Sequence, residues 1–197
     1  MFVQENVPMP AMPYIRNLRP INHKTAEGKE KEILDFAHAS LGFIPSMYAN
    51  MANAPALLGT YLNGYKSFRT ESGLMPSEQE VVFLAISQFN GCDYCTAAHS
   101  MIADKVSGVP REVLNAIRER QPIPDQRLAA LYAVTVEMVR THGHPGQEAL
   151  RDFFSAGYQE RELLYLMLAI AVKTLSNFSN IAFATDVDER FAAYKVS

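Results

Sequence analysis

Pro76-Ser77-Glu78-Gln79-Glu80-Val81-Val82-Phe83-Leu84-Ala85-Ile86-Ser87-Gln88-Phe89-Asn90-Gly91-Cys92-Asp93-Tyr94-Cys95-Thr96-Ala97-Ala98-His99 is the stretch on which the reading of this chain turns. Its first half predicts a strong helix. Pro76 opens it, Ser77 is the expected N-cap, and Glu80 stands three residues later as a capping-box partner. Val81, Val82, Leu84, Ala85, Ile86 and Phe89 make the helix apolar nearly all round, which predicts a central position. Asn90-Gly91 ends it. A second helix is predicted from about Cys92 to Val106, so the stretch reads as a helical hairpin turning on Gly91.

Working outward, the chain reads as helices from end to end. Lys24–Ala39 is a charged amphipathic helix ended near Gly42. Pro45–Asn53 is short, and Pro55–Thr70 carries Leu57, Leu58, Tyr61, Leu62 and Tyr65 on one side. Beyond the hairpin, helices are predicted at Pro110–Arg120, Asp125–His142, Gln147–Ser155 and Gln159 to about Phe183, with a last short one over Asp186–Tyr194. Nothing alternates like a strand. The expected organisation is an extended N-terminal arm over 1–23, with four prolines by Pro20, and a single all-α domain over 24–197. A weak internal repeat relates Gln79–Leu84 to Arg161–Leu166. It places Thr174, Asn177 and Ile181 where the first copy has Cys92, Cys95 and His99.

Composition narrows the function. Apolar residues make up 48% and charged residues 20% of 197, ordinary for a soluble globular protein. A net charge of -3, with Lys and Arg scattered, argues against nucleic acid as a partner. Met1–Pro20 has no apolar core of signal-peptide length, and the longest apolar run, Leu163–Val172, is too short to span a bilayer. The expected address is a reducing cytoplasm with no membrane partner. There a C-x-x-C pair is more often catalytic or metal-binding than a structural staple.

The 2 cysteines of the chain are Cys92 and Cys95, and His99 follows Cys95 by one helical turn. A C-x-x-C pair can open and close a disulfide during turnover. Cys92 near a helix start faces unpaired N–H groups that favour a thiolate there, and Cys95 keeps part of that benefit, while Asp93 opposes it. In an antiparallel hairpin, Glu80 lies about 16 Å back from the turn and His99 about 12 Å from it, so the two are nearly level. A glutamate beside a histidine beside a thiol is a proton relay. Three duller readings stand beside this one. Glu80 can be only a helix cap. Cys92, Cys95, His99 and Glu80 can hold a structural zinc, though such sites use two separated ligand pairs and no second pair exists. The cysteines can also be an inert buried pair. Haem attachment fails because Thr96 follows Cys95. His142 and His144 read as complements to a helix C-terminus and a loop rather than as metal ligands. No cofactor and no metal are expected.

Glu80, eleven residues, Cys92-x-x-Cys95, three residues and His99 together resemble the signature of the alkylhydroperoxidase D and carboxymuconolactone decarboxylase superfamily. Leu41-Gly42-Phe43-Ile44-Pro45 through His99 is similar to its branch of peroxidase-related proteins. The resemblance implies an alkylhydroperoxidase D-like helical bundle, homo-oligomers (dimer, trimer or hexamer) and thiol peroxidase activity on a small hydroperoxide. It implies Cys95 as the attacking thiolate, Cys92 as the resolving thiol, and Glu80 and His99 as the relay. Relatives carry a histidine between the cysteines where this chain has Tyr94, so Tyr94 is a candidate relay member.

The implied cycle runs as peroxide attack by Cys95, condensation of the sulfenic acid with Cys92, and reduction by an external dithiol, which in relatives resembles a lipoyl-type reductant. Decarboxylases of the superfamily generally lack the cysteine pair. The competing functions are a decarboxylase-like lyase and a non-enzymatic redox-sensing oligomer.

Overall fold

A computed structural model describes residues 13–196. The described residues form α-helices and one 3₁₀ helix, with no strand among them. In chain order the helices are α1 (Gly28–Leu41), α2 (Ser46–Met51), α3 (Pro55–Glu71), α4 (Pro76–Phe89), α5 (Asp93–Lys105), α6 (Arg111–Arg118), α7 (Gln126–Arg140), α8 (Gln147–Ser155) and α9 (Glu160–Phe183). The 3₁₀ helix, Glu189–Tyr194, follows. The all-α expectation holds.

α4 is the centre, as its all-round apolarity requires. Val81, Val82, Phe83, Leu84, Ala85 and Ile86 are all 0% exposed. α4 packs on α7, α5 and α9, and the apolar core divides into three clusters, two of which contain α4 side chains. One, built from α1, α2, α3, α5 and α9, encloses both cysteines. The second lies between α3, α4, α7, α8 and α9, and the third between α4, α5, α6 and α7. Burial on all faces is what makes α4 a fixed platform for the polar side chains it carries.

Some boundaries differ from expectation for identifiable reasons. α1 starts at Gly28 rather than Lys24, because Lys24 and Thr25 are taken into a turn closed by Thr25 N donating to Asn22 O at 3.0 Å. The cap of α4 is not Ser77. Pro76 is the first helical residue, and Glu78 Oε2 accepts from Met75 N at 2.8 Å. That frees Glu80 from the capping role and leaves it inside the helix.

Of the N-terminal arm, Met1–Met12 lies outside the described residues. The remainder is tied down. Tyr14 N and Ile15 N both donate to Ala182 O at 3.1 Å, and Ile21 N donates to Ala49 O at 2.9 Å. The internal likeness stops where the first copy breaks. α9 runs unbroken through positions 172–174, where α4 and α5 are separated by the Gly91 turn. α9 is also long and apolar enough to cross a membrane by length and composition. It is packed against α3, α4, α2 and α5, with Leu166, Ala169, Val172, Lys173, Ser176, Asn177 and Asn180 buried, as in a core helix.

Candidate active site

The reactive stretch is built from the turn upward. Gly91 has φ +67, a conformation that a side chain would strain. Asn90 beside it donates through Nδ2 to Asn177 Oδ1 at 2.9 Å, which ties the turn to α9. Cys92 is the N-cap of α5, and its sulfur accepts from Cys95 N at 3.4 Å. This explains the spacing. An N-cap side chain folds back over the third helical residue, so C-x-x-C at a helix start puts both sulfurs on one side of the first turn. Both thiols are free and both residues are 2% exposed.

The two sulfurs differ in environment. Burial opposes a charge on Cys95, but the Cys92 thiol, the positive charge of Lys173 and the Asn180 amide outweigh it and bring its pKa down to about 6. The Asn180 contact is direct, Nδ2 donating to Cys95 Sγ at 3.2 Å. Cys92 moves the other way. Burial, and then its hydrogen bond to Cys95, push its thiol well above the usual range. The helix start therefore does not favour a thiolate at Cys92, because burial outweighs the effect of the terminal N–H groups. The tendency belongs to Cys95.

Glu80 and His99 meet as the hairpin geometry requires. Glu80 Oε2 lies 2.8 Å from His99 Nδ1, and Glu80 is 0% exposed. Its other oxygen, Oε1, pairs with Arg69 Nη2 from α3. Arg69 is itself held by Tyr65 Oη at 2.6 Å and Gln79 Oε1 at 3.1 Å. Burial alone would raise the Glu80 pKa, but His99 and Arg69 hold it below the usual range. Burial, and then the Lys173 charge, pull His99 down to about 4 against the attraction of Glu80. Near neutral pH the ring is thus uncharged and Nδ1 carries the proton that the carboxylate accepts. Nε2 is left as a lone-pair acceptor and has no hydrogen-bond partner among the described residues.

Phe83 ties the groups together. Its ring is 4.8 Å from His99, 4.8 Å from the Arg69 guanidinium carbon and 5.5 Å from Lys173 Nζ.

Of the residues singled out from sequence, Cys92, Cys95, His99 and Glu80 gather in one buried region. No direct hydrogen bond joins His99 to Cys95 among the described residues. Tyr94 points elsewhere. Its hydroxyl donates to Asp188 Oδ2 at 2.6 Å and its ring packs edge-on against Phe191. It fastens the C-terminal segment to α5 and takes no part in the Cys95–His99–Glu80 arrangement. No cluster of three metal-ligating side chains is found among the described residues, and His142 and His144 are exposed.

Sequence reasoning missed Arg69, Lys173, Asn177 and Asn180. For three of them a signal existed. Lys173 interrupts an apolar helix, and positions 173, 177 and 180 share its face at helical spacing.

The sequence profile of the carboxymuconolactone decarboxylase family matches residues 55–137, from α3 through most of α7. Over that stretch the chain is similar to the carboxymuconolactone decarboxylase family. Solved structures share its fold. An uncharacterized peroxidase-related protein from Ralstonia eutropha JMP134, described as an alkylhydroperoxidase AhpD core, superposes with a TM-score of 0.75 at 17% identity. It covers 92% of this chain and 96% of its own. A similar protein from Silicibacter sp. TM1040 gives 0.71 at 19% identity, over 94% and 97%. The debrominase Bmp8, as a cysteine-to-alanine variant with 2,3,4-tribromopyrrole, gives 0.72 at 18% identity, over 89% and 93%. No curated protein matches by sequence. The family match contains Arg69, Glu80, Cys92, Cys95 and His99, whereas Lys173, Asn177 and Asn180 lie beyond it.

Proposed function

We propose that this chain is a thiol-dependent hydroperoxide reductase. The observation that carries the reading is the pairing of a thiolate-favouring sulfur at Cys95 with a proton-bearing thiol at Cys92 on the same helical turn. Cys95 as thiolate attacks the terminal peroxide oxygen. The O–O bond breaks, Cys95 becomes a sulfenic acid, and the departing alkoxide takes a proton to leave as alcohol. That proton comes from solvent water, and His99, held by Glu80 and Arg69, is the group proposed to relay it, its Nε2 lone pair taking the proton up and handing it on. Cys92 then condenses with the sulfenic acid, releasing water and closing the disulfide. An external dithiol, of lipoyl type or another, returns the pair to the reduced state by exchange.

The chain is further proposed to work as a homo-oligomer in a reducing cytoplasm. Leu164, Met167 and Phe178 of α9 are 64%, 49% and 53% exposed, an apolar stripe that a second copy would cover. Light scattering on the purified protein tests this, and a monomer across the working concentration range would refute it.

The activity is tested by stopped-flow mixing of the reduced protein with hydrogen peroxide and tert-butyl hydroperoxide, with mass spectrometry of each sulfur. Cys95→Ser should abolish consumption, and Cys92→Ser should leave Cys95 overoxidised. Full activity in Cys95→Ser would overturn the proposal. Turnover of a lactone acid surviving both substitutions would move the chain to the decarboxylase reading. Peroxide consumption no faster than that of a free thiol, with association that depends on redox state, would favour a sensor.

A further inference from the structure

The mechanism above uses Cys95 as an anion but leaves one buried cation unexplained. Lys173 is 1% exposed, and its ammonium forms no ion pair or hydrogen bond among the described residues. The one carboxylate of this cluster, Glu80, is already taken up by Arg69 and His99. An ammonium away from water is costly unless an anion compensates it. One and two turns further along the same face of α9 stand Asn177 and Asn180, 0% and 3% exposed. Asn180 commits its amide nitrogen to Cys95 Sγ at 3.2 Å and leaves its own Oδ1 without a partner. Asn177 is clamped to the turn before Cys92 by Asn90. The α9 face is thus organised around one sulfur.

We propose that Lys173 and Asn180 compensate an anionic Cys95 sulfur and thereby set the redox poise of the Cys92–Cys95 pair, making its disulfide easily reduced. This rests on the proposed disulfide cycle. Reduction by an external dithiol gives a Cys92 thiol, a Cys95 thiolate, one released proton and the oxidised dithiol. Two electrons and one proton enter the pair, and the charge left on Cys95 is what α9 stabilises. Oxidation removes that charge and leaves Lys173 uncompensated, which penalises the disulfide.

The other ionisable groups around Cys95 are Cys92 on its own turn, His99 one turn on, Tyr94 beside it and Tyr61 from α3. None of these is cationic near pH 7. Stabilising the thiolate from the ordinary thiol value of 9.0 to about 6 favours the reduced form about tenfold at pH 7.

The test uses the full chain. Cys95 alkylation by iodoacetamide is followed against pH, and the dithiol–disulfide equilibrium is measured in a dithiothreitol ladder at pH 7. Lys173→Met should raise the alkylation midpoint by about one pH unit or more. It should also reduce the preference for the dithiol form by about three- to tenfold, a potential about 15–30 mV lower. Asn180→Ala should move both in the same direction by less, and Lys173→Arg should restore them. Should Lys173→Met not fold, Asn180→Ala against wild type remains decisive.

Midpoint and equilibrium unchanged in the folded variants would overturn the proposal, as would a wild-type pair that cannot be oxidised across the ladder. Neither measurement involves peroxide. A wild type inert to hydroperoxides but with these shifts would sink the peroxidase reading and leave this inference standing.

Discussion

Acidification should destabilise this fold through a single buried ring. His99 is 5% exposed, and its pKa lies at about 4 in the folded protein against 6.5 when unfolded. Between those values the unfolded chain binds the proton and the folded one does not, so stability rises with pH. The contribution is complete above 6.5 and is lost as pH falls toward 4. The gap, at about 1.36 kcal/mol for each pH unit, amounts to about 3 kcal/mol in all. Of this, about 2.5 kcal/mol is gone by about pH 4.5, or a fall of about 5–10 °C in Tm for a chain of this size.

Glu80 follows the same sign at lower pH. Its folded pKa lies below the ordinary 4.5, so its contribution is lost only as pH falls below that value. The assay is urea unfolding of wild type and His99→Gln at about pH 7.5 and 4.5. The stability difference between the two proteins should shrink by about 2.5 kcal/mol on acidification, because the glutamine has no proton to gain. A difference that stays constant with pH would refute the reasoning and place a charged or solvated imidazole at this site.

Three further outcomes are expected. Arg69→Met removes one partner of the fully buried Glu80 and should cost about 3 kcal/mol, read as a Tm lower by about 6–12 °C; a neutral effect would mean that the carboxylate is protonated. Gly64→Ala places a Cβ 2.7 Å from Val172 Cγ2, so overpacking of about 1–3 kcal/mol should exceed the helix-propensity gain of about 1 kcal/mol. Urea midpoints test it, and a stabilised variant would show that α3 and α9 are free to part. Tyr94→Phe should lose about 2 kcal/mol with the Asp188 hydrogen bond but keep peroxide turnover within about twofold of wild type. A tenfold fall in the folded variant would return the phenol to the relay.

The linear order of residues settled the helices, the hairpin about Gly91, and the meeting of Glu80 with His99. These follow from helical period and rise, which act within a few turns of one another. It also placed Cys92 and Cys95 at a helix start. Which sulfur carries the charge was decided only by the tertiary fold. Local reasoning favours the sulfur nearest the N-terminal N–H groups, but burial of Cys92 reverses that, and Cys95 is favoured by the Cys92 thiol on its own turn together with groups that reach it from α9, roughly eighty residues away. The same holds for Arg69, which looks like any other helix-surface arginine until α3 packs beside α4, and for Tyr94, whose hydroxyl is drawn to a carboxylate near the far end of the chain. Short-range periodicity can be read along a string, whereas desolvation and the field of a remote lysine exist only once the helices have closed around the site.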